Sequence, residues 1–76
     1  MSKIQVNSEI AGVIWKLLLQ PGSSVTEEQS IMLIESMKME IPILAPETGT
    51  ILSMHVTEGE IVREGQLLAT LITDNE

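Results

Sequence analysis

The hexapeptide Glu35-Ser36-Met37-Lys38-Met39-Glu40 carries the most unusual chemistry in the chain. One lysine stands between two methionines and two glutamates, in a protein with only 4 lysines and arginines. An apolar run, Ile31-Met32-Leu33-Ile34, leads in, and a second, Ile41-Pro42-Ile43-Leu44, leads out. Two strand-like runs around a short polar segment read as a β-hairpin with Lys38 at its tip. Methionine is out of place in a solvated turn, because it leaves apolar, polarisable surface where polar residues are the rule. A lysine in water is almost entirely protonated at neutral pH, so it is a poor nucleophile until something desolvates it. The chemistry open to Lys38 is therefore to be acted on by another protein. Most lysines in turns are only solvated charges; the flanking methionines and the central hairpin set this one apart.

Composition narrows the rest. The chain has 76 residues, which is enough for one domain spanning 1–76. Apolar residues make up 43%, almost all aliphatic, with Trp15 the sole aromatic, so the core must be built from branched side chains. With no cysteine, disulfides, thiolate nucleophiles and cysteine metal cages are all excluded. The single histidine, His55, excludes a histidine-based zinc cage and shows no catalytic company. A net charge of -7 is wrong for a nucleic-acid binder or an anionic membrane surface, and it favours a monomer that repels its own copies. The start, Met1-Ser2-Lys3-Ile4, lacks an apolar signal core, and no apolar run approaches the roughly 20 residues that span a bilayer, so the expected compartment is the cytosol.

Short apolar runs alternate with turn chemistry. Strands are expected at Ile4 to Val6, Gly12 to Leu19, Ile31 to Ile34, Ile41 to Leu44, Thr50 to Val56, Ile61-Val62 and Leu67 to Ile72. Between them lie Pro21-Gly22-Ser23-Ser24, Ala45-Pro46-Glu47-Thr48-Gly49 and Glu58-Gly59-Glu60. Val25 is a lone apolar residue, and Thr73 to Glu76 reads as a fraying polar tail. Helix is the rival reading for Val13 to Leu19, although Gly12 is a poor helix start.

An internal repeat favours strands. Shifted by 37 positions, Gly12 meets Gly49, Ile14 meets Ile51, Gly22 meets Gly59, Val25 meets Val62 and Gln29 meets Gln66. Two copies of one unit, each too small to bury its own apolar face, bury them against each other. The expected fold is all-β, a flattened barrel-sandwich hybrid of two antiparallel sheets with pseudo-two-fold symmetry. Positions apolar in both copies define the predicted core: Ile14, Leu17, Leu19, Val25, Ile31 and Ile34, with Ile51, Met54, Val56, Val62, Leu68 and Leu71. The three-residue step from Ile14 to Leu17 predicts a bulge. Recurrent Gly22 and Gly59 predict positive φ, and Pro42 predicts an edge strand. Trp15 is expected to cap the barrel end; the alternative is an exposed docking patch of Trp15, Leu18 and Leu52. Glu27, Glu28, Glu58 and Glu60 read as solvated turn charges. Because the lysine hairpin closes the first copy and the chain's end closes the second, Lys38 and the termini are expected at opposite ends.

Glu35-Ser36-Met37-Lys38-Met39 resembles the biotinylation signature of biotin carboxyl carrier domains, usually Glu-Ala-Met-Lys-Met. The resemblance runs over nearly the whole chain, taking in Gly12, the Pro21-Gly22 turn, Gln29, Ala45-Pro46, Gly49 and the Glu58-Gly59-Glu60 turn. Ser36 in place of alanine is a small departure. The resemblance implies the biotinyl/lipoyl barrel-sandwich fold with no thumb, since Leu18 to Pro21 leaves no room for one. It implies covalent biotin on Lys38, attached by a biotin protein ligase that recognises Glu35, Met37 and Met39, the methionines serving as a flexible apolar handle. The loaded domain would then serve biotin carboxylase and carboxyltransferase components, carrying and not catalysing, with no metal. Two alternatives stay open. Lipoyl domains share the architecture, with lipoate on a lysine usually set in Asp-Lys-Ala, so lipoate could be carried in place of biotin or as well as it, and a barrel-sandwich module can also act unmodified as a binding surface.

Overall fold

The computed structural model describes residues 2–73. It contains eight strands and, among the described residues, no helix: β1 (Ser2–Asn7), β2 (Gly12–Leu17), β3 (Ser24–Val25), β4 (Ser30–Ser36), β5 (Met39–Leu44), β6 (Gly49–Met54), β7 (Ile61–Val62) and β8 (Leu67–Thr73). The helical reading of Val13 to Leu19 is thereby excluded. That segment alternates inward Ile14 with exposed Val13 and Trp15, the period of a strand. Val25, read as a lone apolar residue, belongs to a two-residue strand and is buried. Thr73, assigned above to a fraying tail, closes β8 opposite Ser2 and is also buried. Asp74 to Glu76, the rest of that tail, lie outside the described residues.

The strands form two four-stranded antiparallel sheets, ordered β5-β4-β2-β7 and β1-β8-β6-β3. Adding 37 to any strand of the first half gives the matching strand of the second, and the repeat begins at β1 rather than at Gly12. Each sheet takes two strands from each copy, so neither half is a sheet on its own. The two copies interlock instead of stacking as finished halves. Even the irregularities recur: β2 shifts register on β4 between Ile14 and Lys16, and β6 shifts on β8 between Ile51 and Ser53. The expected bulge is therefore present twice.

Nine of the twelve predicted core positions are buried in one apolar cluster, and the other three pack against it. Ile14, Val25, Ile31, Ile34, Ile51, Val56, Val62, Leu68 and Leu71 are buried, while Leu17, Leu19 and Met54 are partly buried against them. Val6, Met32, Ile43, Ala45 and Ala69 complete the cluster. Burying each large aliphatic side chain contributes roughly 1.5–3 kcal/mol.

Gly22 and Gly59 have φ of 95° and 90°, as expected from their recurrence. Pro42 sits on β5, an edge strand, where its missing N–H costs no ladder bond. Two expectations need correcting. Trp15 does not cap the barrel: it lies at the β2 bulge, 44% exposed, with the Lys16 ammonium 5.7 Å from its ring centroid. Leu18 and Leu52 are exposed as well, but Trp15 and Leu52 stand on different sheets. Nor are all the turn glutamates idle. Glu58 Oε2 accepts the Leu17 N–H at 3.0 Å, and Glu60 Oε1 accepts the Thr57 N–H at 3.1 Å. His55 is exposed, and its Nε2 lies 3.1 Å from Ser53 Oγ and 2.9 Å from Thr70 Oγ1.

Candidate functional site

β4 and β5 pair from Ser30↔Leu44 to Ser36↔Met39, leaving Met37 and Lys38 as a two-residue loop. A loop of that length needs both central residues at positive φ for its twist to match the strands. Met37 has φ 53° and Lys38 φ 65°. The preferred residues there are Asn and Gly, and a side chain with Cβ costs about 1–2 kcal/mol per residue in this region. The ladder beneath overrides that cost, with Ile34↔Ile41 and Leu33↔Pro42 registered below the turn and Ile34 fully buried. The hairpin tip is thus a strained turn clamped by a rigid pair of strands.

The clamp fixes which way the tip points. Met37 is 91% exposed and Met39 63%, and Lys38 is exposed between them. Glu35 and Glu40 are exposed and face each other one ladder step below. The hairpin thus brings Lys38, Met37, Met39 and Glu35 together. An approaching protein meets an exposed lysine set between exposed methionines and glutamates. Among the described residues no cluster of His, Cys, Asp or Glu has the makings of a metal site.

Gly12 holds the hairpin from the side. A Cβ there would fall 2.5 Å from the Glu35 carbonyl oxygen and 2.7 Å from Ile34 Cγ2, so β2 packs on the last turn-ward residues of β4 only because position 12 has no side chain. At the other end, Glu28 donates its N–H to Ala45 and Glu27 its N–H to Thr48, and Gly49 packs on the backbone of Ile72 and Thr73. Thr73 therefore lies where β4 begins, while Lys38 follows where β4 ends.

Two neighbours of this site lie outside the motif around Lys38. Val13 is registered with Glu35, and Ile61 with Val13, so the ladder row Glu40–Glu35–Val13–Ile61 crosses the whole sheet just below the tip. The signal lay in the repeat: Val13 matches Thr50 and Ile61 matches Ser24, apolar against polar in both cases.

The chain is thus a barrel-sandwich that presents a lysine on a strained hairpin. The model of the biotin-requiring enzyme family matches residues 3–71, and the chain belongs to that family. It is 38% identical over 66 residues to a biotin/lipoyl attachment protein of Bacillus subtilis, covering 87% of this chain and 90% of that protein. It is 42% identical over 60 residues to the biotin carboxyl carrier protein of Streptococcus mutans, covering 79% of this chain and 46% of that one. Among solved structures, the urea carboxylase of Kluyveromyces lactis superposes with a TM-score of 0.89 at 26% identity, over 95% of this chain and 6% of that enzyme. The chain thus spans nearly all of a small attachment protein and a small part of a multidomain carboxylase.

Proposed function

We propose that Lys38 is the attachment point of biotin and that the chain works as a carboxyl carrier. It carries and does not catalyse, in the manner of the relatives named as carrier proteins. The observation that supports this most is the clamped left-handed turn, which holds an exposed amine between two exposed methionines at the far end of a rigid ladder. These residues fit the group. An amide to biotin needs a primary amine that another active site can surround, and Lys38 is exposed among the described residues. A biotin protein ligase would transfer an activated biotinyl group to Nζ, forming the amide as the activating group leaves and the amine sheds its protons. Met37 and Met39 offer that ligase apolar contacts which adapt at little cost, and Glu35 offers a carboxylate. When bound, the group supplies a site that takes up a carboxyl group in one active centre and gives it up in another. Biotin carboxylase and carboxyltransferase components are the corresponding partners, met by a carrier that acts as a monomer.

The reaction of the purified chain with biotin, ATP and a biotin protein ligase tests this directly. The wild type should gain the mass of one biotinyl group and bind streptavidin, while Lys38→Arg should do neither. Label on Lys3 or Lys16, or none, overturns the assignment. The name of the Bacillus relative supports a second reading, in which the same amine accepts lipoate. A parallel reaction with a lipoate ligase decides between exclusive and dual loading.

A further inference from the structure

The pseudo-two-fold axis makes the protein its own control. Paired strand positions on the lysine-bearing sheet have counterparts on the other sheet in the same register, so a difference in side chain there is not dictated by the pairing. Large apolar residues stand exposed at Val13, Leu18, Met39, Leu44 and Ile61, and their counterparts are Thr50, His55, Ser2, Asn7 and Ser24. The most exposed of these outside the turn is Ile61, at 76%. It ends the row Glu40–Glu35–Val13–Ile61, whose mate reads Lys3–Ile72–Thr50–Ser24. Residues registered directly across antiparallel strands share one face, so the row is continuous and spans about 14 Å at the usual strand spacing. Its acidic half adjoins the lysine turn and its apolar half lies beyond.

We propose that this row is the docking track for the ligase that acylates Lys38, with basic side chains of the ligase on Glu35 and Glu40 and an apolar slot receiving Ile61 beside Val13. The proposal rests on the carrier reading and extends the ligase footprint from the turn to β2 and β7. Two features select this occupant. The row is contiguous with the turn, so a protein surrounding Lys38 must cover its acidic end. A chain of net charge -7 attracts a basic partner surface, whereas a second copy laid on the same row brings four carboxylates together.

The test exchanges the row for its mate. Ile61→Ser and Val13→Thr install the residues the protein already tolerates at Ser24 and Thr50, so folding is preserved, and thermal melts confirm it. Initial biotinylation rates by streptavidin capture should show KM for the double variant raised about tenfold, the scale of a lost apolar anchor. Turnover at saturation should stay within about twofold, as for lost binding rather than lost chemistry. Leu44→Asn, at the opposite end of the sheet and matched to Asn7, should leave both constants unchanged. An unaltered KM in the double variant, with the wild type labelled normally, overturns the track and leaves the carrier reading standing. A wild type that takes no biotin overturns both. A wild-type dimer in sedimentation velocity that Ile61→Ser dissolves also overturns it, by giving the row to a second copy.

Discussion

The lysine-bearing sheet and its mate share strand lengths, strand order and the place of their bulges, yet differ at their surfaces, and the two turns flanking β4 hold left-handed residues other than glycine. At the β4–β5 connection the backbone is left-handed at Met37 and Lys38 without glycine. In the turn before β4, Glu28 has φ 72°, while its counterpart Gly65 has φ 87°. Both departures fall in the segment flanking β4. The core tells the opposite story: Ile14 and Ile51 are the same residue at the same burial. Symmetry is kept where packing sets stability, and strain is tolerated where the backbone leads into and out of the lysine strand. This is how display separates from scaffold in a chain built twice from one unit.

The comparison can be broken most forcefully in the core. Ile14→Ala and Ile51→Ala should each cost about 3 kcal/mol, and equally, because each sheet draws strands from both copies. Urea unfolding checks this, and a marked inequality means one half is the more independent folding unit. Next come the close approaches. Gly12→Ala and Gly49→Ala both drive a methyl into a strand backbone and should each cost about 2 kcal/mol, as overpacking does. Only Gly12→Ala displaces Glu35 and so should also slow ligase-catalysed labelling, which separates scaffold from display in one pair of variants. A smaller effect of opposite sign is expected at the tip. Met37→Asn relieves a left-handed side chain and should add about 1 kcal/mol, raising the melting midpoint by a few degrees while lowering the labelling rate. The smallest is Glu28→Gly, which copies Gly65 and should stabilise by at most about 1 kcal/mol with labelling unchanged.

Much of this was legible in the residues, for reasons that also explain what was not. The repeat revealed the pseudo-symmetric fold because matched glycines and aliphatics mark obligatory backbone and core positions. The repeat is plain only from Gly12 onward, since β1 and β5 are edge strands with one buried apolar residue each, Val6 and Ile43, too sparse a pattern to show in residue types. Met32 and Ala69 were missed because alternation assigns neighbours of Ile31 and Leu68 to the outside. In β4 a register shift between Ser30 and Met32 turns consecutive residues inward. The strain at Glu28, Met37 and Lys38 left no trace in residue type, because the surrounding ladder, not local propensity, sets those angles. Gly65 was the available clue to Glu28. The exposure of Ile61 was likewise hidden, since a β-branched residue in a two-residue strand looks like core until its partner rows are known.

The shortness of β3 and β7, with Pro42 on a third margin, has a consequence for life in company. An open margin of a sheet is a template on which another polypeptide can grow, and two-residue strands offer almost no template. A small module that must be touched repeatedly by other proteins thus offers its own kind little purchase at three of its four sheet margins.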